Sequence, residues 1–199
     1  MKEFWDQRYS EQEFVYGKEP NSFFKTFIDR EKPASILLPA EGEGRNAIYA
    51  AQRGWEVYAN DYSRVARDKA IAWAQSESVS IHYELIDLSA WNPSHQTDAI
   101  AMLYVHLKPP LRREIHKNLV GSLKPGGKII LEAFSKDQIH FKSGGPMDID
   151  MLYDVDMIEL DFQELDILML EKLITKIGAG DAHKGKGSII RLIGQKKKS

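Results

Sequence analysis

The sequence predicts an α/β protein, a three-layer sandwich in which helices cover both faces of a mostly parallel, seven-stranded sheet. Three observations favour this fold class. Apolar runs typical of strands alternate with helical stretches as far as residue 134. The run 98–104 is almost continuously apolar, as expected for a strand covered on both faces. Two final strand-like stretches, 164–177 and 188–195, have no helix between them, which predicts a C-terminal antiparallel hairpin.

The first three predicted helices are each bounded by a glycine, a proline or a capping side chain. Gly54 ends the first helix, and Asp61 or Ser63 can cap the second. Pro109 and the proline after it open the third. In chain order the predicted elements are a strand at 34–39, a helix at 45–53, a strand at 55–60, a helix to about 75, strands at 81–85 and 98–104, a helix from 109, a turn at 124–127, a strand at 128–134 and a short helix at 152–160.

Length and composition favour one soluble domain, residues 1–199, within which 1–21 form an aromatic N-terminal segment and 135–150 a polar candidate active-site loop. Cysteine is absent, which excludes disulfides, cysteine-ligated metals and cysteine nucleophiles. The balance of 27 basic against 29 acidic residues argues against nucleic-acid binding by bulk charge. No signal peptide or membrane-length apolar run is found, so we expect a cytoplasmic protein with no membrane partner.

Polar and glycine residues at the ends of three successive strands point to a nucleoside site. Gly42 and Gly44, in the turn after the first strand, let a ligand approach the backbone. Asp61 ends the second strand, where a carboxylate can bind both hydroxyls of a ribose. Asp87 ends the third, beside Leu88, where an adenine edge can be met. Each feature alone is also typical of a simple turn or cap, but ligands bind at the carboxyl ends of such strands.

The charge of the glycine turn distinguishes two nucleoside cofactors. The spacing Gly42-x-Gly44-x-x-Ala47 satisfies the looser dinucleotide fingerprint, so NAD is one candidate. However, Glu41 and Glu43 would repel a diphosphate and suit the cationic cofactor S-adenosylmethionine. The alternative interpretation is that both glutamates are solvated and point away from the site.

The segment ILLPAEGEGRN, residues 36–46, resembles motif I of the class I S-adenosylmethionine-dependent methyltransferases, and more narrowly their tellurite-resistance and thiopurine methyltransferase branch. The chain departs from that motif at two positions, since Leu38 replaces a usual acid and Ala40 a usual glycine. The resemblance spans essentially the whole chain. Its other segments are FWDQRY at 4–9, YGKEPN at 16–21, YVHL at 104–107, LKPGG at 123–127 and DAHKG at 181–185.

The resemblance implies a Rossmann-like sheet with strand order 3-2-1-4-5-7-6, S-adenosylmethionine as cofactor and S-adenosylhomocysteine as product. It implies a small-molecule acceptor, such as a thiol or a chalcogen oxyanion. It also implies that the N-terminal segment covers the cofactor, with Trp5 and Tyr16 around the methionine part and Arg8 at its carboxylate. The alternative packs the aromatic rings on the sheet edge and makes Arg8 a surface ion pair. The other expected cofactor contacts are Ala40, Glu41, Gly42, Gly44, Arg45, Asn46, Asp61, Tyr62, Asp87, Leu88 and Tyr104.

His106 follows the fourth strand and is the candidate catalytic residue, as a general base or a substrate contact. A structural hydrogen-bonding role is the alternative. His183, in the final hairpin turn, is a second candidate to face the site. The histidine spacing matches no metal-binding motif, so no metal is expected. Besides a methyltransferase, two other classes stay open: an NAD-dependent oxidoreductase, and a regulatory protein that binds the cofactor without catalysis.

Overall fold

The computed structural model describes residues 2–11, 13–93, 95–178 and 184–198. Its strands form a seven-stranded sheet with the order 3-2-1-4-5-7-6, so the predicted fold class and strand order are confirmed. The β1–β2, β2–β3 and β4–β5 pairs are parallel, and β7 pairs antiparallel with both β5 and β6. The strands are β1 Ser35–Leu38, β2 Glu56–Asp61, β3 His82–Leu85, β4 Thr97–Leu103, β5 Leu123–Phe134, β6 Leu165–Gly178 and β7 Lys184–Lys196.

Two of the helices, α1 and α2, are absent from the sequence prediction. The Asn21 side chain caps α2 by accepting the Phe24 N–H at 2.9 Å, and the helix buries Phe24, Phe27 and Ile28. None of the described helices is both long and apolar enough to cross a membrane. The α-helices are α1 Lys2–Glu11, α2 Ser22–Arg30, α3 Arg45–Gln52, α4 Arg64–Ser76, α5 Pro109–Gly121 and α6 Val155–Asp161, and short 3₁₀ helices lie at Leu88–Ala90, Lys136–His140 and Ile149–Met151.

The elements fall into two compact units, one with the elements up to Trp91 and one with those from Asn92 onward. In the first unit β1 is buried along its whole length, as expected for a central strand of a covered sheet. In the second unit residues 129–134 of β5 are buried in the same way.

The second unit differs from its prediction in three places. The strand β5 begins at Leu123 and so includes the predicted turn at 124–127, where its register with β4 shifts: Thr97 pairs with Leu123, whereas Ala99 pairs with Lys128. The loop 135–150 contains 3₁₀ structure and is fixed by buried Gln138, whose Oε1 accepts the Ser188 N–H at 2.8 Å. Helix α6 begins three residues later than predicted, because Asp154 caps it by accepting the Met157 N–H at 2.8 Å.

Candidate active site

Gly42, in the turn between β1 and α3, is held by side chains from three other elements. Its N–H donates to Asp61 Oδ2 at 3.1 Å, and the Tyr83 hydroxyl donates to its carbonyl oxygen at 2.6 Å. A Cβ built on Gly42 would lie 2.7 Å from the hydroxyl oxygen of Tyr9, and its φ is +66°. Glycine is therefore required at this position because Tyr9 of α1 approaches its backbone closely.

Gly44 has a packing role that sequence reasoning missed. Its φ of +88° lies in the left-handed region, and a Cβ there would lie only 2.8 Å from the Ala70 Cβ of α4. Because glycine has no side chain, the N-terminus of α3 can pack directly against α4. This packing accounts for the glycine without a ligand, and the expected approach of the cofactor to Gly44 stays a prediction.

Glu41 fills the N-terminus of α3. Its Oε1 accepts the N–H groups of Asn46 and Ala47, each at 2.8 Å, and Gly44 at the cap position supplies no side-chain bond. Burial raises the pKa of Glu41 to about 7, since the charged form is poorly solvated there. A dinucleotide diphosphate needs these same helix amides, and the glutamate occupies two of them.

Glu43 is also turned inward. Its carboxylate accepts the Val15 N–H at 2.8 Å and lies 2.9 Å from the Lys69 ammonium group. The interpretation of two solvated glutamates is therefore wrong. The argument that both carboxylates attract a cationic cofactor is corrected as well, because Lys69 neutralises Glu43.

Asp61 lies at the carboxyl end of β2 and is 4% exposed. Its oxygens accept the N–H groups of Gly42 at 3.1 Å and Ser63 at 2.8 Å, and the Tyr62 N–H contributes a further bond. Burial raises the pKa of Asp61. A carboxylate offers about four acceptor positions, so these three donors leave capacity for about one ligand hydroxyl.

Tyr62 lies in a negatively charged environment. Its pKa is raised to about 12, first by burial and then by the charges of Asp61 and Asp87. Asp87 is exposed and caps the following 3₁₀ helix by accepting the Ser89 N–H at 2.8 Å, while Leu88 is buried. The ends of β2 and β3 therefore present two carboxylates beside one tyrosine.

The aromatic residues of the N-terminal segment pack together. Trp5 stacks on Tyr9 with ring centroids 5.4 Å apart and lies 6.4 Å from the ring of Tyr16. Burial raises the pKa of Tyr16, an effect that a hydrogen bond with Arg8 partly offsets. The Arg8 Nε is buried and has no partner, and Arg8 forms no ion pair with any described residue. The alternative of a surface ion pair is therefore not observed.

Further contacts hold this segment against the turn and α4. The Ser63 hydroxyl donates to Asp6 Oδ1 at 2.5 Å, which lowers the pKa of Asp6, and the Lys69 ammonium donates to the Tyr9 carbonyl oxygen. Arg45 and Asn46, which were predicted cofactor contacts, bind the segment too. Arg45 Nη1 donates to the Tyr16 carbonyl at 3.3 Å, and Asn46 Oδ1 accepts the Asn21 N–H at 2.8 Å.

Ala40 adopts a backbone conformation that favours glycine. Its φ is +52°, and its N–H donates to Asn60 Oδ1 at 3.2 Å. A residue with a Cβ is strained in this region, which explains physically why a glycine is usual there in the family that the chain resembles. The sequence identified the departure but not its conformational cause.

In the second unit His106 is fixed by backbone groups. Its Nδ1 lies 2.9 Å from the Met151 carbonyl oxygen, and the Phe134 N–H donates to its Nε2 at 3.4 Å. Burial lowers its pKa to about 4. A neutral ring with both nitrogens engaged offers no free lone pair, so the predicted general base is corrected to a structural residue. His183 lies outside the described residues.

The structure thus brings together in the first unit every predicted cofactor contact except Tyr104, which follows β4 in the second unit and has a φ of +58°. Across the described ranges, no group of three or more metal-ligating side chains forms. Sequence reasoning missed Tyr9, Tyr83 and Lys69, which contact the turn from distant parts of the chain.

Residues 36–127 match the family model described as a methyltransferase domain. No curated protein matches the chain significantly. Among solved structures, TehB from Haemophilus influenzae superposes with a TM-score of 0.77 at 18% identity, over 89% of this chain and 63% of TehB. A SAM-dependent methyltransferase from Methanosarcina mazei gives 0.71 at 15% identity, covering 91% and 100%. The N-methyltransferase NodS from Bradyrhizobium japonicum WM9, solved with S-adenosyl-L-homocysteine, gives 0.71 at 13%, covering 98% and 97%.

At these identities the solved structures establish the fold, and this chain spans less than two thirds of TehB. The family match over the glycine turn supports the predicted class I methyltransferase superfamily. It agrees with the predicted enzyme class, a methyltransferase, and NodS, one of the structures with this fold, was solved with S-adenosyl-L-homocysteine.

The residues of the first unit fit that cofactor. The orphaned Arg8 Nε matches the need of a carboxylate for a buried donor. Asp61 has acceptor capacity left for a ribose hydroxyl.

Proposed function

We propose that residues 1–199 act as one methyltransferase domain that transfers the methyl group of S-adenosylmethionine to a small molecule, a thiolate or a chalcogen oxyanion such as tellurite. One observation carries the choice of cofactor: Glu41 occupies the α3 amides that a diphosphate would need. The same observation disfavours the NAD-dependent oxidoreductase. The carboxylate of the neighbouring Asp61 can still accept a ligand hydroxyl, which is compatible with the ribose of a nucleoside that has no diphosphate.

In this proposal Asp61 binds the ribose, and Tyr62, Asp87 and Leu88 lie along the adenosine. Arg8 binds the carboxylate of the methionine part, between the rings of Trp5 and Tyr16. Ala40 and Gly42 line the site with backbone atoms. Glu41, Gly44, Arg45 and Asn46 support the turn instead of touching the ligand, because each already has the internal contacts described above.

When bound, the cofactor supplies a methyl group on a sulfonium, whose C–S bond breaks as the acceptor's lone pair forms a new bond to carbon. The protein has to hold the acceptor in line and exclude water. A thiolate, or the lone pair on tellurium in tellurite, needs no proton removed by the enzyme. The neutral, fully bonded ring of His106 is compatible with such an acceptor.

The N-terminal segment supplies the exclusion of water in this proposal. Trp5 and Tyr16 are only partly buried in the ligand-free chain, whereas Tyr9 and Val15 are buried. We expect amide exchange of residues 2–11 to slow when S-adenosylhomocysteine binds, and this protection to be lost in Trp5→Ala. Equal, strong protection with and without ligand would show that these aromatic rings are ordinary core.

The proposed reaction is tested by following a labelled methyl group from S-adenosylmethionine to thiophenol, tellurite and selenite, each with the wild type and with Asp61→Ala. We expect transfer to at least one acceptor, and a large loss of transfer in the variant. Binding of S-adenosylhomocysteine without transfer to any acceptor would instead favour the non-catalytic regulatory protein.

A further inference from the structure

Tyr153, in the second unit, connects the carboxyl ends of two strands. It is fully buried, its N–H donates to the Phe134 carbonyl at 3.1 Å, and its own carbonyl accepts the Lys136 N–H at 2.8 Å. Its hydroxyl donates to the Val105 carbonyl at 3.0 Å. One residue thereby ties the end of β5 to the segment that follows β4, at the edge where ligands bind in such sheets.

A buried chain of polar groups supports the Tyr153 hydroxyl. His116 Nε2 lies 3.4 Å from it, and His116 Nδ1 lies 2.8 Å from Asp161 Oδ2. Arg112 Nε donates to the same Asp161 oxygen at 2.8 Å. Asp161 accepts the Nδ1–H of His116, burial lowers the pKa of His116, and the His116 ring stacks on the Tyr153 ring with centroids 5.9 Å apart. None of these groups has a role in the proposed reaction.

The segment that Tyr153 holds has an unusual backbone. Tyr104 has a φ of +58° although it is not a glycine, and such a conformation persists only when its surroundings fix it. The Tyr104 N–H donates to the Glu132 carbonyl at 2.7 Å, on one side, and the Val105 carbonyl is held by Tyr153 on the other. The His106 ring is fixed by the Met151 carbonyl.

We propose that Tyr153 is a positioning residue for methyl transfer. Its hydroxyl, supported by His116, Asp161 and Arg112, holds residues 104–106 in the conformation that aligns the acceptor. This inference rests on the proposed function. It assigns the buried cluster of Tyr153, His116, Asp161 and Arg112 a role in positioning the acceptor, in addition to its contribution to folding stability.

The test compares Tyr153→Phe with Tyr49→Phe, a control that removes the hydroxyl of another tyrosine with a buried ring, bonded to Asp29 at 2.5 Å in the first unit. We expect Tyr153→Phe to lower kcat at least tenfold, while KM for S-adenosylmethionine and Kd for S-adenosylhomocysteine stay within twofold. Amide exchange at residues 104–106 should accelerate at least tenfold. The control should change none of these values by more than twofold.

Asp161→Asn is the second variant, since it keeps the Tyr153 hydroxyl and weakens only its support. We expect kcat to fall at least threefold with unchanged Kd, and this variant decides the matter if Tyr153→Phe does not fold. Wild-type kcat together with wild-type exchange at 104–106 in a folded variant would overturn the inference. If the wild type fails to bind S-adenosylhomocysteine, the proposed function fails instead, and the exchange rates alone decide whether Tyr153 holds the segment.

Discussion

The glycine turn of the first unit and the segment after β4 in the second unit are stabilised in different ways. The turn has glycines where backbone must pass close to other groups, and charged side chains such as Glu43 and Lys69 fix it. The segment after β4 has a left-handed tyrosine, Tyr104, and a supporting chain of hydrogen bonds fixes it. The turn depends on its own residue types, since glycine tolerates its backbone conformation. The conformation of the second segment depends instead on the groups packed around it.

This difference shows that a residue of a recognisable motif need not contact the ligand, and that a residue outside any motif can shape the edge where ligands bind. Gly44 and Glu41 belong to the recognisable motif, yet the structure gives both of them internal partners. Tyr153 belongs to no recognised motif and nevertheless holds an edge of the sheet where ligands bind. Variants in the two regions should therefore separate stability from binding.

The largest effect is expected from Gly44→Val, which tests whether Gly44 is required for the packing of the turn against α4. The new side chain would meet Ala70 at 2.8 Å in a left-handed backbone. We expect a loss of at least about 3 kcal/mol in the free energy of unfolding, measured by urea denaturation. Gly121→Ala is the control, because a Cβ there meets nothing within 4 Å. A stable Gly44→Val protein that has lost only ligand binding would return Gly44 to the ligand site.

Asp61→Ala tests whether the turn region binds the nucleoside. Removing a charged acceptor should weaken S-adenosylhomocysteine binding by about 1–3 kcal/mol in calorimetry. Asp87→Ala should cost less, since Asp87 is exposed and its Oδ1 is already bonded to Ser89. Equal affinities in wild type and a folded Asp61→Ala protein would remove Asp61 from the site.

Glu41→Gln tests the buried carboxyl group of the turn through the pH dependence of protein stability. The pKa of Glu41 is raised from 4.5 to about 7 in the folded protein. The folded state therefore binds more protons than the unfolded state between pH 4.5 and 7, and stability is lost as pH rises through that window. We expect Glu41→Gln to gain about 1–3 kcal/mol relative to wild type between pH 4.5 and 8, measured by urea denaturation. A difference that does not vary with pH would contradict the assigned pKa.

The smallest effect is expected from Ala40→Gly, which removes strain from the turn. Relief of the left-handed conformation, less the added freedom of glycine when unfolded, should raise stability by about 0.5–1 kcal/mol. Ser78→Gly is the matched control, since Ser78 has a φ of +57° on an exposed turn. Both variants should gain stability in thermal melts, and only Ala40→Gly should alter S-adenosylhomocysteine affinity. An altered affinity in Ser78→Gly would mean that the effect is not local to the site.

Local patterns predicted most of the fold. Apolar runs that alternate with helical stretches predicted the strands, and the absence of a helix between the last two strands predicted the hairpin. Helix α2 also has a local signal, since Asn21 is followed by apolar residues at helical spacing. The predicted turn at 124–127 lies inside β5, at a shift in its register with β4, because proline and glycine favour turns and strand irregularities alike.

The site was predictable only where its residues are close in sequence. Gly42 and Asp61 are 19 residues apart and follow successive strands, so topology alone places them together. In contrast, Tyr153 is 37 residues from His116 and 48 from Val105, and Asp161 is 49 from Arg112. Such pairs are set by tertiary packing, which composition and periodicity do not encode. For the same reason His106 was misassigned, since its partners at Met151 and Phe134 are distant.

The most direct test of the central claim is the thermal stability of the wild-type protein with S-adenosylhomocysteine and, separately, with NAD. A ligand at about 100 times its Kd stabilises the folded state by about 2.7 kcal/mol. We predict a clear rise in Tm with S-adenosylhomocysteine and none with NAD, because Glu41 occupies the amides that a diphosphate needs. A rise with NAD, or no rise with S-adenosylhomocysteine, would contradict the account.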